Sequence, residues 1–188
     1  MQELIERFGT VLLDLAAASI RHGVGAGRAL GVAPAEFSDD LWRPGASFVT
    51  LHLDGRLRGC TGSAVACQPL ARDVAENAYA SAFTDPRFDP VAAPEVDRLD
   101  TEISLLTAPE PMRFTSESDL LAQLVPGRDG LILEAGGQRG LFLPQVWDTV
   151  PDAADFLAHL KIKAGLKENF WSESVRVRRF YAHKTGRA

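Results

Sequence analysis

The chain has 188 residues, 46% hydrophobic and 24% charged, with a formal net charge of −5 and a sequence pI of about 5.4. That length builds one substantial domain or two small lobes. The acidic balance argues against a nucleic-acid partner, although Arg176, Arg178 and Arg179 form a local basic cluster. Asp14 interrupts the longest apolar run well short of a membrane span. Glu3 and Glu6 stand where an export leader would be basic, so with two cysteines the expected compartment is the reducing cytoplasm.

Leu4, Ile5, Phe8, Val11, Leu12, Leu15 and Ser19 recur at helical spacing and predict an amphipathic helix over residues 2–21, broken by Gly23, Gly25 and Gly27. Those glycines follow a helix and lack dinucleotide-binding spacing, so they read as a loop. Residues 34–45 read as irregular, anchored by Trp42. Asp54-Gly55 between residues 47–53 and 56–60 is a hairpin signal. A three-residue loop with a left-handed Gly55 pairs Leu51 with Leu57 and Thr50 with Arg58. It gathers Val49, Leu51, Leu53 and Leu57 on an apolar face and His52, Thr50, Arg58 and Cys60 on the other. Pro69 opens a helix to about residue 83, and residues 84–90 form a proline-punctuated turn. Residues 99–107 alternate as a strand, with Asp100, Glu102 and Ser104 opposite Ile103 and Leu105. A short helix over 118–124, a second hairpin around Gly136-Gly137, a helix over 152–164 and a final strand over 174–181 complete the chain. Lys161 and Lys163 fall in the last turn of that helix, where cations suit the dipole. The tally predicts an α+β fold with largely antiparallel sheet.

Residues 57–63, Leu-Arg-Gly-Cys-Thr-Gly-Ser, carry the most chemistry. They read as leaving the hairpin into a loop ahead of a helix, a common position for a reacting group. Cys60 is either a small residue in a tight corner or a thiol activated by Arg58 and exposed loop amides. His52 and Glu102 are the nearest candidates to move a proton, each with the plainer reading of a strand side chain in solvent. Asp85-Pro86-Arg87-Phe88 offers either a capped turn with a local ion pair or an arginine that orients a carboxylate or phosphate. Cys60 and Cys67 lack zinc-type spacing and His22, His52, His159 and His183 are scattered, so no metal site is predicted.

In this order the segments resemble the AMMECR domain, protein A of the AmmeMemoRadiSam system. The resemblance is carried by residues 57–62, Pro69-Leu70, residues 77–83, Asp85-Pro86-Arg87-Phe88, residues 102–107, Pro126-Gly127, Asp129-Gly130, residues 139–145 and residues 163–166. Thr61 stands where the family usually has isoleucine. The resemblance implies one two-lobed α+β domain over residues 1–188, each lobe with an antiparallel sheet, and a biochemical activity and cofactor not established. It also implies association with Memo-type and radical-SAM proteins. The functional expectation is an enzyme or pathway component using an inter-lobe cleft centred on Cys60. Glu102 or His52 would move a proton, while Arg58, Gly59, Thr61, Gly62, Ser104 and Arg87 would hold substrate. The alternative is a non-catalytic interaction or regulatory module.

Overall fold

Helix α1, Gln2–Ala26, runs past its predicted end and stops only at Gly27, whose left-handed backbone (φ 65°) returns its N–H to the Gly23 carbonyl. The predicted break at Gly23 does not occur. Its missing side chain makes room for the Tyr79 and Phe83 rings, which an added Cβ would approach to 2.7 and 2.5 Å. Tertiary packing thus outweighs glycine's low helix propensity. The stretch read as irregular holds a 3-10 turn, Pro34–Glu36, the short helix α2, Asp39–Trp42, and the two-residue strand β1, Pro44–Gly45. Its anchor is the buried Leu41 rather than Trp42, which stays partly exposed.

The computed structural model describes residues 1–186, which divide into two compact units. The first comprises Met1–Leu106 and residues 183–186; the second is Thr107–Ala182. In the first, strands β2 (Ser47–Leu53), β3 (Arg56–Gly62), β5 (Leu99–Leu106) and β10 (Ala182–Gly186) form a sheet in the order β10-β5-β2-β3. The two-residue strand β4, Gln68–Pro69, pairs with β1 and leads into helix α3, Leu70–Phe83. Val49, Leu51, Ile103 and Leu105 are fully buried against Leu12, Ala16 and Ile20 of α1 and Val74, Ala75 and Ala78 of α3. The opposite face of the sheet carries Thr50, His52, Cys60 and Glu102. Strand β10 was not foreseen: Ala-His-Lys-Thr-Gly has no apolar alternation and is a strand because it lies beside β5.

The β2–β3 register differs from the predicted one. Asp54 (φ 51°) and Gly55 (φ 75°) form a two-residue turn, with Leu53 opposite Arg56 and His52 opposite Leu57. The bulge lies further along, so that Leu51 faces Gly59 and Thr50 faces Cys60, leaving Arg58 as the extra residue. Leu57 therefore shares the His52 face and is 42% exposed, not part of the apolar face.

The second unit contains β6 (Glu110–Pro111), α4 (Glu117–Gln123), β7 (Gly130–Ala135), β8 (Gln138–Phe142), α5 (Ala153–Lys163) and β9 (Arg176–Phe180). Its sheet is antiparallel throughout, in the order β6-β9-β7-β8. Ser116 and Asp152 cap α4 and α5 by accepting backbone N–H bonds. The core stacks Trp147 on Phe156, ring centroids 3.8 Å apart. Lys161 does not simply lie at a solvated helix end: it is buried, paired with Glu117, with its ammonium 5.7 Å from the Trp171 ring. Burial also lowers the pKa of Lys163, whose ammonium lies over Phe142. The fold is α+β, and no described helix is long and apolar enough to cross a membrane.

Candidate functional site

Cys60 lies within β3, which runs on to Gly62, two residues past the end expected for the hairpin strand. It sits directly opposite Thr50, and Thr50 in turn opposite Glu102, so three strands present Cys60, Thr50 and Glu102 in one row on one face. The Thr50 hydroxyl Oγ1 donates to Cys60 Sγ at 3.3 Å. Adjacent strands lie about 4.8 Å apart, which puts the Cys60 and Glu102 backbones about 10 Å from each other with Thr50 between. The gap suits a small molecule laid over Thr50 better than direct proton transfer. Lys184 of β10 extends the row, its Nζ 3.1 Å from Glu102 Oε1. Sequence reasoning missed Lys184 because its strand carries no local signal.

One rung along, His52 is paired with Leu57 and Asp100 on the same face, half-buried. The next rung the other way holds Gly62, Phe48 and Ser104. An added Cβ at Gly62 would meet the Phe48 ring at 2.2 Å, and Ser104 is only 1% exposed, so neither presents itself openly to a ligand. Thr61 pairs with Val49 and belongs to the opposite face.

The backbone around Cys60 is held by side chains from α3 and the turn after it. Ser81 Oγ accepts the Thr61 N–H at 2.8 Å and donates to the Val49 carbonyl at 2.7 Å, bridging β2 and β3. Gly59 is required there: a Cβ would lie 2.0 Å from the Ser81 carbonyl oxygen. On the outer edge of β3, Asp85 Oδ2 accepts the Cys60 N–H at 2.9 Å and Arg87 Nη2 donates to the Cys60 carbonyl at 3.1 Å. Asp85 and Arg87 thereby replace a neighbouring strand. The amides of Cys60 and Thr61, which lie between Gly59 and Gly62, are thus committed to protein partners.

Asp85 also accepts from Arg87 three times, at the backbone N (3.1 Å), Nε (2.9 Å) and Nη2 (2.7 Å). The Arg87 guanidinium holds the Asp85 carboxyl far below the usual carboxylate range, helped by the Cys60 N–H. Asp85 in return keeps Arg87 charged, and the Cys60 side chain contributes in the same direction. The capped turn with a local ion pair is thus present, and its arginine also binds the Cys60 backbone.

Arg58, expected beside the thiol, is engaged elsewhere. Its Nε and Nη2 each bond the Glu95 carboxylate at 3.0 Å, and Nη1 donates to the Asp89 carbonyl at 2.8 Å. The side chain is 14% exposed. These bonds lower the Glu95 pKa, with the Ala92 N–H adding to the effect. Arg58 fastens the segment after α3 to the hairpin. Cys60 is half-buried and Cys67 exposed, both as free thiols. Among the described residues no cluster of three or more His, Cys, Asp or Glu is placed to hold a metal ion.

These features define a class: an α+β protein of two units, with a thiol on an edge strand clamped by an Asp–Arg turn. The family model for AMMECR1 matches residues 13–185, and the chain belongs to that family. Protein MJ0810 of Methanocaldococcus jannaschii is 43% identical over 143 residues, covering 72% of this chain and 69% of the relative. Protein SSO0193 of Saccharolobus solfataricus is 37% identical over 199 residues, covering 96% and 82%. The crystal structure of uncharacterized protein PH0010 from Pyrococcus horikoshii superposes with a TM-score of 0.84 at 36% identity, covering 95% of this chain and 90% of that one. None of these names states an activity.

Proposed function

We propose that this protein is a cytoplasmic enzyme, or an enzyme component working with Memo-type and radical-SAM proteins, whose reacting group is the Cys60 thiol. The observation that carries this reading is the cross-strand row of Cys60, Thr50 and Glu102. A substrate seated over Thr50 would have the sulfur at one end and a carboxylate at the other. Glu102, or His52 one rung away, takes the thiol proton through the seated group. The thiolate then accepts the Thr50 hydroxyl bond and faces the Arg87 cation, both of which stabilise its charge. One specific observation favours a second reading, a non-catalytic surface that docks a protein partner: the Cys60 and Thr61 N–H groups are already bound to Asp85 and Ser81 and are not offered to a developing oxyanion.

The two readings part on Glu102. The rate of Cys60 alkylation by iodoacetamide, followed by peptide mapping to separate it from Cys67, is measured against pH in the native protein and in Glu102→Gln. Circular dichroism controls for folding. If Glu102 serves the thiol, the midpoint of the profile moves on substitution, because removing a nearby negative charge favours the thiolate. Superimposable profiles would discard the coupling and leave the docking surface as the better account.

A further inference from the structure

The Cys60 row accounts for the sulfur and a proton acceptor but leaves one group unused. Of the five N–H donors of Arg87, Nε is bound to Asp85 Oδ1, and Nη2 to Asp85 Oδ2 and the Cys60 carbonyl. Among the described residues Nη1 makes no hydrogen bond to an oxygen acceptor, although the guanidinium as a whole also interacts with the Cys60 side chain. The side chain is 54% exposed while its partner Asp85 is only 4% exposed. The pair carries no net charge, yet it is oriented: the carboxylate is buried behind and the cation stands forward. Phe88 supports the guanidinium, its ring centroid 5.5 Å away. Bidentate contact with Asp85 leaves the plane of the guanidinium little freedom, so the remaining donors are preorganised. Arg58 offers no such edge, since Glu95 and two backbone carbonyls occupy its guanidinium.

We infer that the Cys60 site takes an anionic substrate, whose carboxylate or phosphate group docks on Nη1 of Arg87 and brings its reacting centre beside the Cys60 sulfur. This rests on the reading of Cys60 as the reacting group and adds the substrate's charge and the residue that recognises it. The exposed Arg87 edge suits an oxyanion in chemistry, because planar donors and oxyanions match in geometry. Arg87 is a binding residue in this scheme, and its tie to the Cys60 carbonyl fixes the distance between docking point and thiol.

The test uses two alkylating reagents of similar size, anionic iodoacetate and neutral iodoacetamide. With either, the thiolate forms an S–C bond as the C–I bond breaks and iodide leaves. The ratio of their rates at Cys60 is compared with the ratio at exposed Cys67 in the same protein, where no such clamp is present. The expected ratio is about fivefold higher at Cys60, the scale of an exposed charge pair, and it falls as salt is raised. Arg87→Gln removes the excess; Arg87→Lys, which keeps the charge but not the second and third donors on Asp85, retains only part of it. Acetate and inorganic phosphate are then tried as protectants of Cys60 against iodoacetamide, the stronger one identifying the oxyanion. Equal ratios at the two cysteines in the native protein, which need no variant to fold, would overturn the inference while leaving Cys60 reactivity intact. A Cys60 that reacts with neither reagent would instead remove the thiol reading on which the inference rests.

Discussion

Asp85→Asn is the most informative substitution in the clamp, because it alters charge and hydrogen bonding without changing shape. The carboxylate accepts four donors: two at Oδ1, both from Arg87, and two at Oδ2, from Cys60 and Arg87. An asparagine can keep one oxygen in place, but its amide nitrogen then faces two donors. Bonds to charged groups contribute about 1.5–3 kcal/mol each, and a buried group facing the wrong partner loses that and its solvation. Because Arg87 is half exposed, water recovers part of the loss. The expected cost is about 2–3 kcal/mol at pH 7, or a fall of about 4–12 °C in Tm for a chain of this size. The pH dependence follows from the lowered Asp85 pKa. Its stabilisation is complete above the unfolded carboxyl value of about 3.9 and is lost as pH falls through the folded value. The gap between native and Asn proteins in urea denaturation should therefore be constant from pH 7 to 5 and narrow by about 1 kcal/mol at pH 3. A negligible gap at pH 7, or a gap that does not respond to acid, would refute the account of the clamp.

Gly59→Ala places a Cβ 2.0 Å from the Ser81 carbonyl oxygen, which is backbone and cannot step aside. It should destabilise by about 3 kcal/mol or more, measured by urea denaturation, whereas a loss under 1 kcal/mol would mean the strand can shift freely. Lys161→Met keeps the volume of a buried chain while removing its charge, and should cost less than truncation, because the Glu117 carboxylate it leaves unpaired is about a third exposed to water. Lys161→Ala leaves a cavity and should cost about 2–4 kcal/mol, so equal Tm values for the two variants would contradict the packing described for α5.

Much of the architecture was legible locally because local physics dictates it. Asp54-Gly55 marks the hairpin's position because both residues adopt positive φ, although not the length of its turn. The alternation over β5 follows from one buried face, with Ile103 and Leu105 inside. Ser116 and Asp152 start their helices by accepting N–H groups a few residues ahead. The ordered motifs, too, were enough to place the chain in its family. Other features required contacts from distant segments. Gly23 stays helical because two aromatic rings from α3 press on it. The bulge at Arg58 coincides with Glu95 binding the guanidinium and Ser81 bridging the strands, neither of which lies near it in sequence. Choosing a register from the apolar pattern alone therefore put the bulge in the turn. The cation bound at Cys60 is Arg87 instead of Arg58, and it holds the Cys60 carbonyl, since Asp85 and Arg87 reach the strand edge only once α3 is packed on the sheet. Lys184 meets Glu102 because a polar tail residue sits on a strand held beside β5. Sequence pattern determines which residues prefer a helix, a turn or an apolar face, because those preferences act over a few residues. Which donor meets which acceptor across the sheet is decided by tertiary packing alone, because hydrogen bonds and ion pairs act only at contact.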